Sequence, residues 1–520
     1  MNLLHRRIVC LQCKIKPIQF CSISTQQFRM KRASLNLELN FDFKIGLAEQ
    51  IVSQITEKIS NGYLQPGLVL PSIRTMAAQL KISVDTVVSA YKELDEQGFI
   101  KAKRGSGFVV LKNESIIIQR SEKKTPAVAS IEKIKLSERA RFAEELSGYF
   151  ERNNYKNRPF VVYGSGLAKL LDKEWTKQAA MVARSPWNHT DYSDPAGFLP
   201  LRRAIAARLL QHRGIKCSAE NVIVTNGTVQ NLNLVFKVLF EPGDTLAMES
   251  PSASMFSQIA FFNGLNVLHI PVSERGLTKE QVESLPTGVK GLFVSPANQT
   301  PLSVTMEENC RQAVLERAFD TKSWILEADM ENIVWYNGMP LKPLRAKEGS
   351  EHRVVYMDSF TLQFYPGIKI GYLVVPDGYE KAFAGAKLMT DRSSSEQSQA
   401  ILARFLESSS YDSHLRKLRK KFRNSLSGLQ KTTTQHLRGF GHLSNTKCGS
   451  HIAFHLDSIP DVEAALKLKE KGILVRPLSS FGGKCSKMNG FMMGFGSFSE
   501  EEIQKAVLEI KEVLERILRG

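Results

Sequence analysis

The chain lacks any long apolar run and has few cysteines. No stretch reaches the about 18 consecutive apolar residues that a membrane-spanning helix needs, and the mean hydropathy is -0.19. Seven cysteines are present, three near the N-terminus and four scattered along the rest. We therefore expect neither a membrane protein nor a disulfide framework, but a chain from a reducing compartment. "CLQC" at 10–13 has zinc-knuckle spacing, but no second pair follows, so no metal site is expected.

Acidic residues are absent from the first 37 positions. This segment contains the basic residues Arg6, Arg7, Lys14, Lys16, Arg29, Lys31 and Arg32. Two interpretations fit: an organellar transit peptide, or sequence ahead of a true start at Met30. We expect residues 1–37 to be disordered in either case.

What the chain has in excess is positive charge. Lysine and arginine number 70 against 52 aspartates and glutamates, which gives a formal net charge of +18. A surplus of this size favours a polyanionic partner, most simply nucleic acid.

Residues 38–111 have the pattern of a small helical domain that ends in a hairpin. Apolar residues four apart in 43–62 predict a first helix. Ser72 and Ser83 are each placed to cap a helix, the first ending near Leu80 and the second before Gly98. "IKAKRGSGFVV" (100–110) then predicts two strands around a Gly-Ser-Gly tip. The order indicates a winged helix-turn-helix, whose last helix has the size to enter a major groove.

This stretch resembles the GntR family of bacterial repressors. The matching residues are Leu70, Pro71, Ser72, Arg74, Ser83, Thr86, Val87, Ala90, Tyr91, Leu94, Gly98, Gly105 and Gly107. The resemblance implies contacts with double-stranded DNA from Arg74, Ser83, Asp85, Thr86, Lys101, Lys103, Arg104 and Gly105. Many family members have arginine directly after the cap serine, where this chain has Val84 and Asp85. Asp85 can accept a hydrogen bond from a cytosine amino group, so the change shifts base preference or lowers affinity.

A linker and a large α/β domain follow. Residues 112–150 are charged and aperiodic, which predicts a linker that is helical in part. In 151–520, short apolar segments alternate with amphipathic helices, which predicts a doubly wound α/β sheet of enzyme size. The predicted strands are 221–227, 244–250, 291–296, 323–329, 353–360 and 370–376. We interpret the basic helix at 414–429 as a solvated face, with DNA-backbone contact as the alternative.

The order of motifs from "YSDPAGFLPLRRA" (192–204) to "DSFTLQFYPGIKIGY" (358–372) resembles the fold-type I aminotransferases. With the winged helix in front, the chain from about 40 to 520 is similar to the MocR-type subfamily of GntR regulators. The resemblance implies a winged helix-turn-helix domain plus a large α/β domain of the fold-type I pyridoxal-phosphate transferase class. It also implies a head-to-tail homodimer, a small-molecule effector and a location in the bacterial cytoplasm. An upstream start codon then explains residues 1–37 better than a transit peptide.

The cofactor positions of that family can be compared with this chain. The lysine that forms the Schiff base aligns with Leu362, in a register fixed by Phe360, Pro366 and Gly367, and leucine cannot form an imine. The acid that pairs with the pyridine nitrogen aligns with Ala328, unless a local shift lets Asp329 substitute. The tyrosine, the stacking aromatic and the arginine for a substrate carboxylate align with Met330, Ala253 and Met492. We expect no covalent pyridoxal phosphate, no transamination, and a cavity that is filled or takes a more apolar ligand.

Polar residues of the phosphate cup remain at a predicted helix N-terminus. They are Thr225, Gly227, Thr228, Gln230, Ser359 and Lys369, the last in place of an arginine. Each would also suit a purely structural strand-to-helix turn.

Three functions stay open at this point. The favoured one is a DNA-binding regulator whose degenerate aminotransferase-like domain serves dimerisation and effector sensing. The second is a pyridoxal-phosphate enzyme or sensor that uses a displaced lysine such as Lys369. The third is a structural protein whose winged helix no longer binds DNA.

Overall fold

A computed structural model describes most of the chain. The described residues are 35, 37, 39, 46–60, 64–103, 107–111, 136–147, 159–160, 165–171, 173–185, 191–331, 334–336, 339–482 and 488–519. They form two compact units, Met1–Ile134 and Lys135–Gly520, called the head and the body below. Within those residues, no helix has the length and apolarity to cross a membrane, and no group of three or more potential metal ligands occurs.

The head is a winged helix-turn-helix, as predicted. Its elements are α1 (Leu47–Ser60), α2 (Ile73–Leu80), α3 (Val84–Glu96), β1 (Ile100–Lys103) and β2 (Gly107–Val110). Ser72 caps α2 by accepting from Thr75 N at 3.1 Å, and Ser83 caps α3 by accepting from Thr86 N at 3.2 Å. Lys81 makes the turn between the helices with a left-handed backbone, φ 54°.

The core of the head begins earlier in the chain than residue 38. Leu35 and Leu37 are buried in the same cluster as Ile55, Tyr91 and Leu94. The prediction that 1–37 is wholly disordered is therefore wrong at its end, because apolar side chains there find a place in the core. The remaining positions of that segment, with "CLQC", lie outside the described residues.

The body consists of helices on both faces of one large sheet, with a second, smaller sheet. Its helices are α4 (Glu138–Ser147), α5 (Lys173–Ala183), α6 (Leu199–Arg213), α7 (Thr228–Leu239), α8 (Ser254–Phe262), α9 (Lys279–Glu283), α10 (Glu308–Asp320), α11 (Glu380–Asp391), α12 (Glu396–Glu407), α13 (Ser409–His436), α14 (Asp461–Glu470) and α15 (Glu500–Arg519). Its strands are β3 (Val222–Thr225), β4 (Thr245–Ser250), β5 (Asn266–Pro271), β6 (Val289–Val294), β7 (Trp324–Ala328), β8 (Val354–Ser359), β9 (Gly371–Val374), β10 (Gly441–Leu443), β11 (His451–Leu456), β12 (Arg476–Pro477) and β13 (Gly490–Gly494).

The large sheet has the strand order β3-β9-β8-β7-β6-β4-β5. All neighbouring strands pair in parallel except β9, which runs antiparallel to both β3 and β8. The short apolar runs of these strands suit a sheet that helices cover on both faces. The small sheet, β10-β11-β13-β12, is antiparallel.

Alternation along the strands separates two cores. Leu326, Ala328 and Met357 belong to the front cluster, which α7 and α8 cover. Tyr356 and Tyr372 point to the opposite face and belong to the back cluster, with residues of α6, α12 and α13. Successive side chains on a strand point to opposite faces, so a residue's position in the strand decides which core it enters.

Two features at the edges of the body add to what the sequence predicted. The helix α4 lies within the predicted part-helical linker, and the Phe142 ring packs against Phe261 at 5.0 Å between centroids. The strand β5 was not predicted. The basic segment 414–429 lies within α13, where Leu415 and Phe422 are buried and Arg416 and Lys420 are exposed as predicted for a solvated face.

Candidate functional site

The predicted DNA contacts on the head divide into exposed residues and helix caps. Arg74, Asp85, Lys101 and Lys103 are exposed. Ser83 has its hydroxyl engaged as the cap of α3, 2.7 Å from the hydroxyl of Thr86. Its role here is to fix the start of α3, which sets the direction of the helix. The structure does not describe Arg104 and Gly105 at the tip of the wing.

Leu362 lies in a buried turn between β8 and β9. Its side chain is 1% exposed and packs in the back cluster with Phe360 and Phe364. Phe364 N donates to Phe360 O at 3.0 Å, which closes the turn. Ala328, by contrast, lies in the front cluster. The residue aligned with the Schiff-base lysine therefore packs in a different apolar cluster from the residue aligned with the ring-nitrogen acid.

The same turn is held from α13. Tyr411 Oη donates to the side-chain oxygen of Gln363 at 2.7 Å, and His414 Nε2 lies 2.6 Å from Gln363 O. The His414 ring stacks on Phe364 with centroids 5.3 Å apart. These contacts hold the residues that directly follow Leu362.

Apolar side chains occupy the front-face positions that align with cofactor contacts. Ala328 is buried, and Met330 packs on the front cluster with its sulfur 3.0 Å from the hydroxyl oxygen of Thr228. Together with Phe256, they line a cavity of about 20 Å³. That volume holds about one water molecule. Phe256 was missed from the sequence, although it follows the aligned Ala253 by one helical turn in α8.

Ala253 and Met492 differ in their surroundings. Ala253 is half-buried at the start of α8. Met492 is buried with Ala453, Leu478 and Phe481. An apolar cluster therefore surrounds the residue aligned with the carboxylate-binding arginine.

The carboxylate of Asp329 is held by partners on the back face of the sheet. It accepts from two nitrogens of Arg213, one of them Nε at 3.1 Å. Tyr356 Oη donates to the same oxygen at 2.8 Å. These bonds follow strand parity, because Asp329 and Ala328 are neighbours in sequence and point to opposite faces. Asp329 also lines the small front cavity with Ala328 and Met330, so its substitution for the ring-nitrogen acid stays a prediction.

A second buried acid, Asp358, lies beside this pair. Its carboxylate accepts from Tyr372 Oη at 2.9 Å. A cavity of about 30 Å³ separates it from α6 and α13, and Arg213, Asp329 and Tyr411 are among the lining residues. Burial, and after it the charge of Asp329, raises the pKa of Asp358 from 3.8 to about 7.

We expect Asp358→Asn to stabilise the body relative to wild type, and to do so more at pH 8 than at pH 5. Between pH 3.8 and about 7 the folded carboxyl keeps its proton while the unfolded one loses it. The folded state then binds more protons, so wild-type stability falls as the pH rises through this window. Asparagine does not titrate, so its stability relative to wild type should rise by about 3 kcal/mol from pH 5 to pH 8.

Urea unfolding at several pH values measures this advantage. Asp457→Asn is the control, since Asp457 is exposed. An advantage of the same size at pH 5 and pH 8, or a loss at pH 8, would contradict the assignment.

A buried polar cluster adjoins the small front cavity. Glu331 accepts from Asn298 Nδ2 at 2.6 Å and from Ser450 Oγ at 3.0 Å, and its carboxylate lies 3.1 Å from His451 Nδ1. Burial would raise the pKa of Glu331, but His451 and Ser450 lower it to about 2. Gly449 has a φ of +100°, and a Cβ there would lie 2.3 Å from Asn298 Nδ2. The pattern of the sequence did not reveal this cluster, because Ser450 and His451 lie more than 100 residues after Asn298 and Glu331.

The predicted phosphate cup is brought together by strand pairing. Gly371 of β9 pairs with Thr225 of β3 on one side and with Ser359 of β8 on the other. A Cβ at Gly371 would lie 2.8 Å from Gly227 Cα, so glycine is required for this approach. Lys369, two residues earlier, is exposed and has a left-handed backbone.

Several polar groups of the cup bond to other groups of the protein. Thr225 Oγ1 donates to Asn231 Oδ1 at 2.6 Å, and Gln230 Oε1 accepts from Asn226 N at 2.7 Å. Thr228 contacts Met330, as described above. These bonds suit the structural strand-to-helix turn as well as an anion site, and the anion site stays a prediction.

Family models match both parts of the chain. "Aminotransferase class I and II" matches residues 163–507, and "Bacterial regulatory proteins, gntR family" matches residues 47–110. The chain belongs to the aminotransferase class I and II family. Its head is of the GntR family, which confirms the MocR-type domain order. Proteins with this aminotransferase fold typically bind pyridoxal phosphate.

Relatives share the whole arrangement. The HTH-type pyridoxine biosynthesis transcriptional regulator PdxR of Corynebacterium glutamicum is 26% identical over 490 residues, which cover 93% of this chain and 99% of the relative. The probable rhizopine catabolism regulatory protein MocR of Rhizobium meliloti is 24% identical over 482 residues, 91% and 95% of the two chains. The crystal structure of an archaeal alanine:glyoxylate aminotransferase matches with a TM-score of 0.65 at 22% identity, over 74% of this chain and 96% of that chain. This last likeness concerns the fold alone.

At the three positions that the resemblance assigns to the imine, the ring nitrogen and the phenolic oxygen, the residues of this chain do not fit pyridoxal phosphate. Leucine stands where an amine is needed, and alanine and methionine stand where an acid and a phenol hold the ring in the resemblance. The front cavity of about 20 Å³ compares with roughly 300 Å³ or more for ordinary small-molecule sites.

Proposed function

We propose that the chain is a DNA-binding transcriptional regulator. The observation that carries the proposal is the head itself, a GntR-type winged helix with Arg74, Lys101 and Lys103 exposed. Of the relatives that match almost the full length, PdxR is named as a transcriptional regulator and MocR as a probable regulatory protein. The net charge of +18 complements the phosphate backbone of DNA.

The body, in this proposal, does no Schiff-base chemistry. The support is Leu362 in the back cluster, Ala328 and Met330 in the front cluster, and Met492 among apolar side chains. The body would instead pair two chains head to tail, as the resemblance implies, and present two winged helices to two half-sites of an operator. An effector that binds the body would shift that arrangement, and the regulator would act in the bacterial cytoplasm.

An imine at Lys369 is the alternative. Lys369 is exposed and lies at the edge of the cup with Thr225 and Ser359. It comes seven residues after Leu362, beyond the turn that Gln363 anchors. No described contact directs its amine toward Ala328 or Met330, so this alternative has less support.

We expect the double change Lys101→Ala with Lys103→Ala to weaken DNA binding for all duplexes alike. Both lysines are on the exposed wing strand β1, and Lys101 has only a long contact, 3.7 Å, with Asp95. Each phosphate contact contributes about 0.9 to the slope of log affinity against log salt. The slope should therefore fall by about 2, as measured by fluorescence anisotropy with a selected duplex between about 50 and 200 mM salt.

The matched control is Lys467→Ala with Lys469→Ala. It removes the same charge from an exposed helix of the body, so its salt slope should equal that of wild type. Equal slopes for the wing variant and wild type would contradict the assignment of the wing. If wild type binds no duplex at low salt, the regulator proposal fails and the head is structural.

A further inference from the structure

The outer face of α3 is unusually apolar for a helix meant to meet DNA. Val84 is 47% exposed and Val88 is 42% exposed. The inner face of the same helix carries Val87, Tyr91 and Leu94, all fully buried. Residues four apart lie on the same side of a helix, so Val84 and Val88 form one apolar patch on the side away from the core.

Among the described residues of the head, neither valine belongs to the buried core. Valine is a weak helix former, because its branched side chain is restricted by the preceding turn. Ser83 caps α3 directly before Val84, so the start of the helix and the direction of Val84 are fixed. Helix propensity therefore does not explain the two valines, and each leaves close to half of its surface exposed.

The charges on the outer face argue against phosphate contacts there. Asp85 and Ser89 accompany the two valines, and Lys92 contacts Glu96 at 3.7 Å. The basic residues lie instead on α2 and on the wing, as Arg74, Lys101 and Lys103 do. In the proposed DNA complex the flanking elements would hold the backbone, and the outer face of α3 would meet the base edges.

The major groove presents one apolar group to such a patch, the 5-methyl group of thymine. We propose that Val84 and Val88 contact thymine methyl groups and that these contacts select thymines in the operator. This inference depends on the proposed function of the head. The two side chains are about 6 Å apart and base pairs follow every 3.4 Å or so along the axis. The two thymines should therefore lie about two base steps apart.

The proposal is tested by a double-mutant cycle between protein and DNA. A duplex is first selected from a random pool by the full-length protein, and each thymine is then replaced singly by deoxyuridine, which removes only the methyl group. Loss of one buried methyl contact should weaken binding about three- to fivefold. Val84→Ala and Val88→Ala should each weaken binding to the thymine duplex by the same factor and leave binding to the matching uracil duplex unchanged.

Folding and specificity are controlled separately. Alanine at an exposed helical position is favourable for the helix, so both variants should fold like wild type by circular dichroism. Val462→Ala, at a valine 51% exposed on the body, should change no affinity.

The other results of the double-mutant cycle and of the duplex selection would each contradict either the thymine contacts or the proposed function. Additive effects of valine and methyl removal, meaning equal weakening on the thymine and uracil duplexes, overturn the thymine contacts while leaving the regulator intact. No weakening by either valine change on the thymine duplex also overturns them. A wild-type protein that selects no duplex removes the proposed function itself.

Discussion

Replacing Leu362 by lysine is expected to lower the free energy of unfolding of the body by about 3–5 kcal/mol and to create no pyridoxal-phosphate enzyme. The side chain at this position is 1% exposed and packs with Phe360 and Phe364. A lysine there buries an amine among aromatic rings, so it must either lose its charge or unfold the turn. Restoring the aligned lysine is thus a destabilising change in this chain.

The measurement is urea unfolding followed by tryptophan fluorescence. All four tryptophans, at 175, 187, 324 and 335, lie in the body, so unfolding of the head is silent. Leu362→Met is the matched control, because it keeps the volume and the apolar character, and it should cost less than about 1.5 kcal/mol.

The same proteins are then mixed with pyridoxal phosphate and reduced with borohydride. Neither wild type nor Leu362→Lys should retain a covalent adduct after dialysis, since Ala328 and Met330 offer the ring no acid or phenol. An adduct at Lys369 of wild type would establish the alternative function. A Leu362→Lys protein as stable as Leu362→Met, with an adduct at residue 362, would show that the turn is still a cofactor loop.

Arg213→Ala is expected to destabilise the body by about 3–5 kcal/mol, the usual cost of removing one partner of a buried ion pair. The side chains of Arg213 and Asp329 are 7% and 2% exposed. Arg213 also donates to Leu341 O at 3.0 Å. Its removal would leave the charge of Asp329 with only Tyr356 to stabilise it.

Two further variants separate charge from packing. Arg516→Ala breaks an exposed pair with Glu512 at 3.9 Å and should cost about 0.5 kcal/mol or less. Arg213→Met combined with Asp329→Leu removes both charges and should recover most of the lost stability. A cost below about 1 kcal/mol for Arg213→Ala would mean that the pair contributes no more than a surface contact.

The elements of the fold could be predicted because their signals are local. Ser83 before an apolar period gave α3, and the apolar run in "SWILEAD" gave β7. The edge strand β5 escaped prediction because three of its six residues, Asn266, His269 and Pro271, are exposed. Such a proportion of exposed residues is also typical of a loop.

The site could be predicted only as far as backbone register reaches. Motif spacing aligned positions 328, 330 and 362 with the cofactor contacts of the family. What these alignments imply about cofactor binding stays a prediction. Motif spacing does not show to which face of the sheet a side chain points. Asp329 could be placed on the back face only once β7 was paired with β8, and the cluster of Glu331 with His451 needed contacts across 120 positions.

The packing of Met330 against Thr228 and Phe256 bears on how such a chain can evolve. Once the imine is lost, selection at the surrounding positions is for packing, and side chains that fill the space become advantageous. A single reversion to an acid at 328, a tyrosine at 330 or a lysine at 362 would then place a polar group among apolar side chains without a hydrogen-bond or ionic partner. Each such reversion lowers the stability of the body before it restores any chemistry. In the proposed history, the loss of the cofactor site is therefore difficult to reverse.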